Sequence, residues 1–168
     1  FRADNISEER ILKAHTSGST GEPFTFFQDK NELVERRRHI LYGLGLHNVK
    51  ALRPAIISGL DTHMYLGPLG YRFSALESSD ERISTLYPLL ERVKPEILFC
   101  TPSYLEMLHY WLKRDGKSFS FKIIYCLGES ITGAQRSRLA LAFRSKIVSF
   151  YGTQEIGQIA VECRVGRY

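Results

Sequence analysis

The chain has 168 residues, 43% hydrophobic and 24% charged, with 10 Phe and 9 Tyr; that is enough apolar surface for one core, which excludes a disordered tract and fits a single domain. The formal net charge is +5, yet the basic residues are scattered and only Arg36-Arg37-Arg38 form a run, so we read the run as a solvated helix face and expect no nucleic-acid partner. The apolar stretches are strand-sized, far short of the ~20 residues of a membrane span, and Phe1-Arg2-Ala3-Asp4 has no signal pattern, which together predict a cytoplasmic protein.

The first feature along the chain is the polar run His15-Thr16-Ser17-Gly18-Ser19-Thr20-Gly21-Glu22-Pro23, followed by the β-prone Phe24-Thr25-Phe26-Phe27. Leu33, Val34, Ile40, Leu41 and Leu44 then recur with mostly helical spacing, which predicts a packing helix over 31–46 after a turn around Asp29. Pro54-Ala55-Ile56-Ile57-Ser58-Gly59 reads as a buried strand closed by glycine, whereas 60–79 shows no periodicity that assigns it. Beyond that point the pattern alternates: helix 80–93, strand 96–100, helix 102–114, strand 122–127, helix 132–143 and strand 146–150. Ser79-Asp80, Thr101-Pro102 and Thr132 mark the three helix starts. Strands alternating with helices predict right-handed crossover units, hence an α/β fold with a mostly parallel sheet flanked by helices.

Ligands of such sheets gather outside the carboxyl ends of the strands, where loops lead into helices. Thr101-Pro102-Ser103, Gly128-Glu129-Ser130 and Tyr151-Gly152-Thr153-Gln154-Glu155 fall there. Cys100, Cys126 and Cys163 are an odd number without a Cys-x-x-Cys pair, so we read them as reduced thiols, the first two as small core residues at strand ends. The five histidines show no metal-ligand spacing and are read as surface or core residues.

In the run from His15 to Pro23, glycines let the backbone approach a ligand and turn its N–H groups inward, and Ser and Thr hydroxyls add neutral donors. Such a loop can wrap a polyphosphate; on composition alone a plain polar hairpin turn is an equal reading. The Gly-x-x-x-x-Gly-Lys-Ser/Thr phosphate loop is absent. Thr16 to Pro23 instead resembles the Thr/Ser-Ser-Gly-Ser/Thr-Thr-Gly-x-Pro phosphate loop of the adenylate-forming superfamily, which contains acyl-CoA synthetases, peptide-synthetase adenylation domains and luciferases. Tyr151-Gly152-Thr153-Gln154-Glu155 is similar to that family's Tyr-Gly-x-Thr-Glu motif and follows at about the family's separation. The segments from Leu98 to Leu105 and from Cys126 to Thr132 resemble the phenylacetate-CoA ligase branch and its capsule-biosynthesis-associated relatives. The resemblance runs from Thr16 to about Cys163.

This resemblance implies ATP-dependent activation of a small carboxylic acid, with an aromatic acid as the candidate, as an acyl-adenylate, followed by capture on the thiol of coenzyme A. It implies that Thr16, Ser17, Gly18, Ser19, Thr20 and Gly21 hold the β- and γ-phosphates. Tyr151 would lie against the adenine face, Gly128 and Glu129 would line the same pocket, and Gly152 and Thr153 would border it. Glu155 would ligate Mg²⁺ and, with Gln154, serve the reaction. Tyr65, Tyr71, Phe73 and Tyr104 are candidates for an apolar or aromatic acid pocket.

Two positions depart from the family pattern: Gln154 stands where the family has Thr, with Thr153 as a neighbouring substitute, and Glu22 and Phe24 flank Pro23 where a Lys is common. The family's ribose Asp, hinge Arg and mobile C-terminal domain with its catalytic Lys would lie beyond Tyr168. We therefore expect residues 1–168 to be a single AMP-binding α/β subdomain, part of the large N-terminal domain of an adenylate-forming enzyme, with apolar surface that favours homo-oligomers. Whether this chain turns over by itself is open at this point. The alternatives are an inactive nucleotide-binding module and a protein-interaction fragment.

Overall fold

Ile97-Leu98-Phe99-Cys100 and Ile123-Ile124-Tyr125-Cys126 are apolar at every position, and every one of these side chains is buried. A strand apolar on both faces is stable only with a layer on each side, the situation of a parallel strand inside an α/β sheet. The computed structural model has that arrangement; it describes residues 6–15, 21–49, 54–58, 64–65, 71–74, 80–153 and 155–168. Its elements in chain order are β1 (Ile11–His15), β2 (Thr25–Asp29), α1 (Lys30–Leu46), β3 (Pro54–Ser58), β4 (Met64–Tyr65), β5 (Tyr71–Ser74), α2 (Asp80–Val93), β6 (Ile97–Cys100), α3 (Pro102–Arg114), β7 (Ile123–Cys126), α4 (Gly133–Phe143), β8 (Lys146–Thr153) and β9 (Gly157–Val161).

The main sheet has the order β4-β5-β3-β6-β7-β8-β9. The pairs β5-β3, β3-β6, β6-β7 and β7-β8 are parallel, and the outer pairs β4-β5 and β8-β9 are antiparallel. Alternation along β6 and β7 divides the core in two. Leu98, Cys100, Ile124 and Cys126 face a layer built by α2, α3 and α4 with Leu90, Leu105, Leu108, Leu139 and Phe143. Ile97, Phe99, Ile123 and Tyr125 face the other side, where Leu44 of α1 covers them, and the Phe99 and Tyr125 rings stack 5.2 Å apart. The expected α/β architecture is present.

Local signals explain the helix starts. Thr101 caps α3 by accepting from the Tyr104 N–H at 3.3 Å with Pro102 in the first turn, and Thr132 and Gln135 form a reciprocal capping box on α4. Asp29 ends β2 and caps α1 in one residue: its carboxylate accepts from the Asn31 N–H at 2.9 Å and pairs with Arg10, so the β1-β2 hairpin passes into α1 without an intervening loop.

Three details differ from the sequence reading. The unassigned stretch contains β4 and β5. The strand expected to stop at 150 continues to Thr153 and folds back as β9, so the Tyr151–Thr153 segment belongs to a hairpin and does not lead into a helix. Glycine makes this return possible: a Cβ on Gly152 would lie 2.2 Å from the Gly157 carbonyl oxygen, and Gly157 sits at φ +83°. Finally, the arginine run is not a uniformly solvated face. Arg38 is exposed beside Glu35, but the Arg36 side chain is only 16% exposed and turns toward the β8-β9 hairpin.

Candidate functional site

The carboxyl ends of β7 and β8 open on a cavity of about 380 Å³. One wall is the loop Gly128-Glu129-Ser130-Ile131 that follows β7, and the other is Phe150-Tyr151-Gly152 of β8. Of the residues singled out in the sequence, the structure thus brings Gly128, Glu129, Tyr151 and Gly152 around one space. Tyr151 is 57% exposed, with its ring unclaimed by the core, as a stacking platform requires.

Glu129 has a more specific place than wall lining. Its Oε1 accepts from the Ser103 hydroxyl at 2.7 Å and its Oε2 from the Ser103 N–H at 3.0 Å, while Thr101 Oγ1 lies 2.9 Å from Ser103 Oγ. Glu129 therefore ties the loop after β7 to the amino end of α3, where a carboxylate is favoured by the unpaired N–H groups. The rim of the cavity is braced from the neighbouring strand junction.

The floor holds residues that the sequence did not flag. Arg136 of α4 pairs with Glu162 at 2.6 Å and donates to Ser149 Oγ at 2.7 Å and to the Ile147 carbonyl at 3.2 Å, and the Ser149 N–H donates to Glu162 Oε2 at 2.8 Å. Burial pushes the Glu162 carboxyl up, but the Arg136 hydrogen bond, the Ser149 N–H and the Arg136 charge together hold it below the usual glutamate value. Nothing local marks these residues: one charged residue in a helix and one after a short strand look like surface until the hairpin brings them together.

At the far end of the hairpin, Thr153 Oγ1 accepts from the Ile156 N–H at 3.2 Å, closing the turn that contains Glu155. Thr153 is thus engaged in shaping this turn. The Glu155 carboxyl is held below its ordinary value first by its own backbone N–H, then by the Thr153 hydroxyl and the Arg36 charge, so it is ionised at neutral pH. An ionised, solvent-facing carboxylate is a donor that a hard cation accepts. Among the described residues no group of three or more His, Cys, Asp or Glu could hold a metal ion, so Glu155 fits a cation that takes its other ligands from phosphates and water, and not a closed protein cage.

Thr16, Ser17, Gly18, Ser19, Thr20 and Gln154 lie outside the described residues. The strands flanking the Ser/Thr/Gly run are described: β1 and β2 pair up to His15 opposite Thr25, and Thr25 Oγ1 lies 3.0 Å from His15 Nδ1. Gly21 is exposed, with open space around it. Tyr65, Tyr71 and Phe73 stand on β4 and β5, and Tyr104 is in α3, half-buried against the core. Burial drives the Cys126 thiol to about 12 and the Cys100 thiol well above its ordinary value, as expected of packing residues.

No protein-family model and no curated protein matches the sequence. Solved structures do match. A 2-hydroxyisobutyryl-CoA ligase in complex with 2-HIB-AMP and CoA, in its thioesterification state, superposes with a TM-score of 0.74 at 17% identity over 96% of this chain. The fold is that of one part of this ligase. A long-chain-fatty-acid-CoA ligase from Archaeoglobus fulgidus (TM-score 0.62, 13% identity, 92% of this chain) and the luciferase-like enzyme of the nonluminescent Zophobas morio mealworm (0.61, 19%, 89%) share it. The chain spans 38%, 33% and 36% of the length of these three proteins, respectively. The described cavity lies at the carboxyl edge of the parallel strands, and no helix among the described residues is long and apolar enough to cross a membrane.

Proposed function

We propose that this chain is the nucleotide-binding part of an enzyme that activates a carboxylic acid with ATP as an acyl-adenylate and passes the acyl group to coenzyme A. The carrying observation is the convergence of Tyr151 and Gly152 with Gly128 and Glu129 on one cavity, with the ionised Glu155 on the adjoining turn. We read residues 1–168 as one subdomain, with a phenylacetate-CoA ligase-like parent, an aromatic acid and a cytoplasmic setting as the finer parts of the proposal. Self-association belongs to the same reading, supported by the exposed Phe27, Leu41 and Tyr42.

In this reading Tyr151 offers its exposed ring to the adenine, and the Gly128–Ile131 loop, held by the Glu129–Ser103 brace, covers the opposite side. Thr16, Ser17, Ser19 and Thr20, with the amides of Gly18 and Gly21, grip the β- and γ-phosphates, and Gln154 and Thr153 border the α-phosphate. Glu155 holds Mg²⁺, which when bound would neutralise charge on the departing pyrophosphate. Positioning and charge stabilisation are the whole contribution asked of these residues.

Calorimetric titration of the folded chain with Mg-ATP tests the proposal, alongside Tyr151→Ala and Ser19→Ala/Thr20→Ala. Saturable binding that each variant weakens about ten-fold, the loss of one base-stacking contact of 1–3 kcal/mol in the first case, is the expected result. A folded wild-type chain that binds no nucleotide overturns it.

A further inference from the structure

Arg36 is fastened to the turn that carries Glu155. Its Nη2 donates to the Glu155 backbone carbonyl, 119 residues away in sequence, while Nε and Nη2 also donate to Glu32 Oε1 at 3.1 and 2.7 Å. The aliphatic stem lies over Gly157: a Cβ there would sit 2.9 Å from Arg36 Cδ and 3.0 Å from Cγ. One side chain of α1 thus holds the turn on both sides of Ile156, by a charge-assisted hydrogen bond and by packing.

Two physical consequences separate this from an ordinary surface contact. First, the donor fixes the orientation of the Glu155 carbonyl, and the stem prevents Gly157 from moving toward α1, so the backbone from which the Glu155 side chain springs is set. Second, the Glu32 carboxylate pairs with the guanidinium at 2.7 Å. The pair therefore offsets part of the Arg36 charge that the Glu155 carboxyl feels, and Arg36 organises the turn with less opposition to a cation than a lone guanidinium would bring. The same α1 grows directly from β2 through the Asp29 cap. Its amino end is thereby tied to the hairpin that carries the Ser/Thr/Gly run.

We propose that Arg36 is a positioning residue for the metal: through its bond to the Glu155 carbonyl and its packing on Gly157, α1 sets where the Glu155 carboxylate meets a divalent cation on the bound polyphosphate. This rests on the nucleotide reading given above.

The test uses the full chain as wild type, Arg36→Met, which keeps an aliphatic stem over Gly157 and loses the donors, and Arg36→Lys, which keeps one charged donor. Calorimetry measures the affinity for AMP, for ATP with a chelator, and for ATP with Mg²⁺; hydrogen–deuterium exchange follows the amides of residues 155–158. In the wild type Mg²⁺ strengthens ATP binding. Arg36→Met lowers that metal-dependent gain about ten-fold, the usual loss when an outer-shell partner is removed, leaves AMP affinity unchanged and speeds exchange in the turn, with Arg36→Lys in between. An unchanged metal gain in Arg36→Met overturns the proposal, as does an equal loss for AMP, ATP and Mg-ATP, which would make Arg36 structural only. A wild type that binds AMP without any gain from Mg²⁺ overturns the proposal alone, whereas one that binds neither AMP nor Mg-ATP overturns the nucleotide reading as well.

Discussion

Arg136 and Glu162 pair at 2.6 Å beneath the cavity that Tyr151 walls, joining α4 to the segment just after β9 across β8. Glu162 is 8% exposed, so its partner cannot simply be replaced by water.

Arg136→Met is therefore expected to destabilise the chain by about 3 kcal/mol, the usual cost of leaving a largely buried charge without its partner, here the Glu162 carboxylate. Urea denaturation measures this. Arg136→Met with Glu162→Leu should recover much of the loss, because replacing both charges removes the orphan.

The same pair sets an acid limit. The folded Glu162 carboxyl titrates below the ordinary 4.5, so its stabilisation is present above that value and is lost as pH falls through the lower folded value. Stability measured from pH 6 to pH 3 should fall less steeply for Glu162→Gln than for the wild type; identical slopes would show that Glu162 contributes nothing to acid unfolding.

Gly157→Ala should cost about 1–3 kcal/mol, since it places a side chain at φ +83°, and it should also push Arg36 from its seat. Gly21→Ala meets nothing within 4 Å and should leave the melting temperature nearly unchanged. Thermal denaturation of the two variants side by side separates local strain from a general effect of adding a methyl group.

Among the three thiols, Cys163 should react first with iodoacetamide in the native protein. Hydrogen bonds from backbone N–H groups around Arg167 and Val165 hold its thiol below the ordinary value, whereas burial raises Cys100 and Cys126. Peptide mapping after brief alkylation at pH 8 should find the label on Cys163 alone; equal labelling of Cys126 would contradict the packing described for β7.

Much of this was legible in the sequence where a single physical demand fixed the residues. β6 and β7 need apolar side chains on both faces, and Thr132 is a residue type that caps an orphaned N–H group, so strand and helix starts could be read directly. Gly128 and Glu129 could be placed because they follow the end of β7, whereas Tyr151 reaches the same cavity from within β8. The β8-β9 hairpin was not legible, because Tyr151-Gly152-Thr153 read as a loop and the return depends on Gly152 and Gly157 approaching each other, a pairing that periodicity does not register. Arg36 and Glu162 were missed for a related reason: each is a charged residue with an ordinary local context, and only the tertiary fold supplies its partner.

The β1-β2 pairing carries a consequence of its own for ligand capture. His15 and Thr25 are held opposite each other, so the two ends of the Ser/Thr/Gly run are already brought together in the folded chain. Closing a loop costs conformational entropy that grows with the logarithm of its length. Folding has already met that cost at the hairpin base, so under the nucleotide proposal none of it falls on the ligand, and more of the interaction energy is left over as affinity.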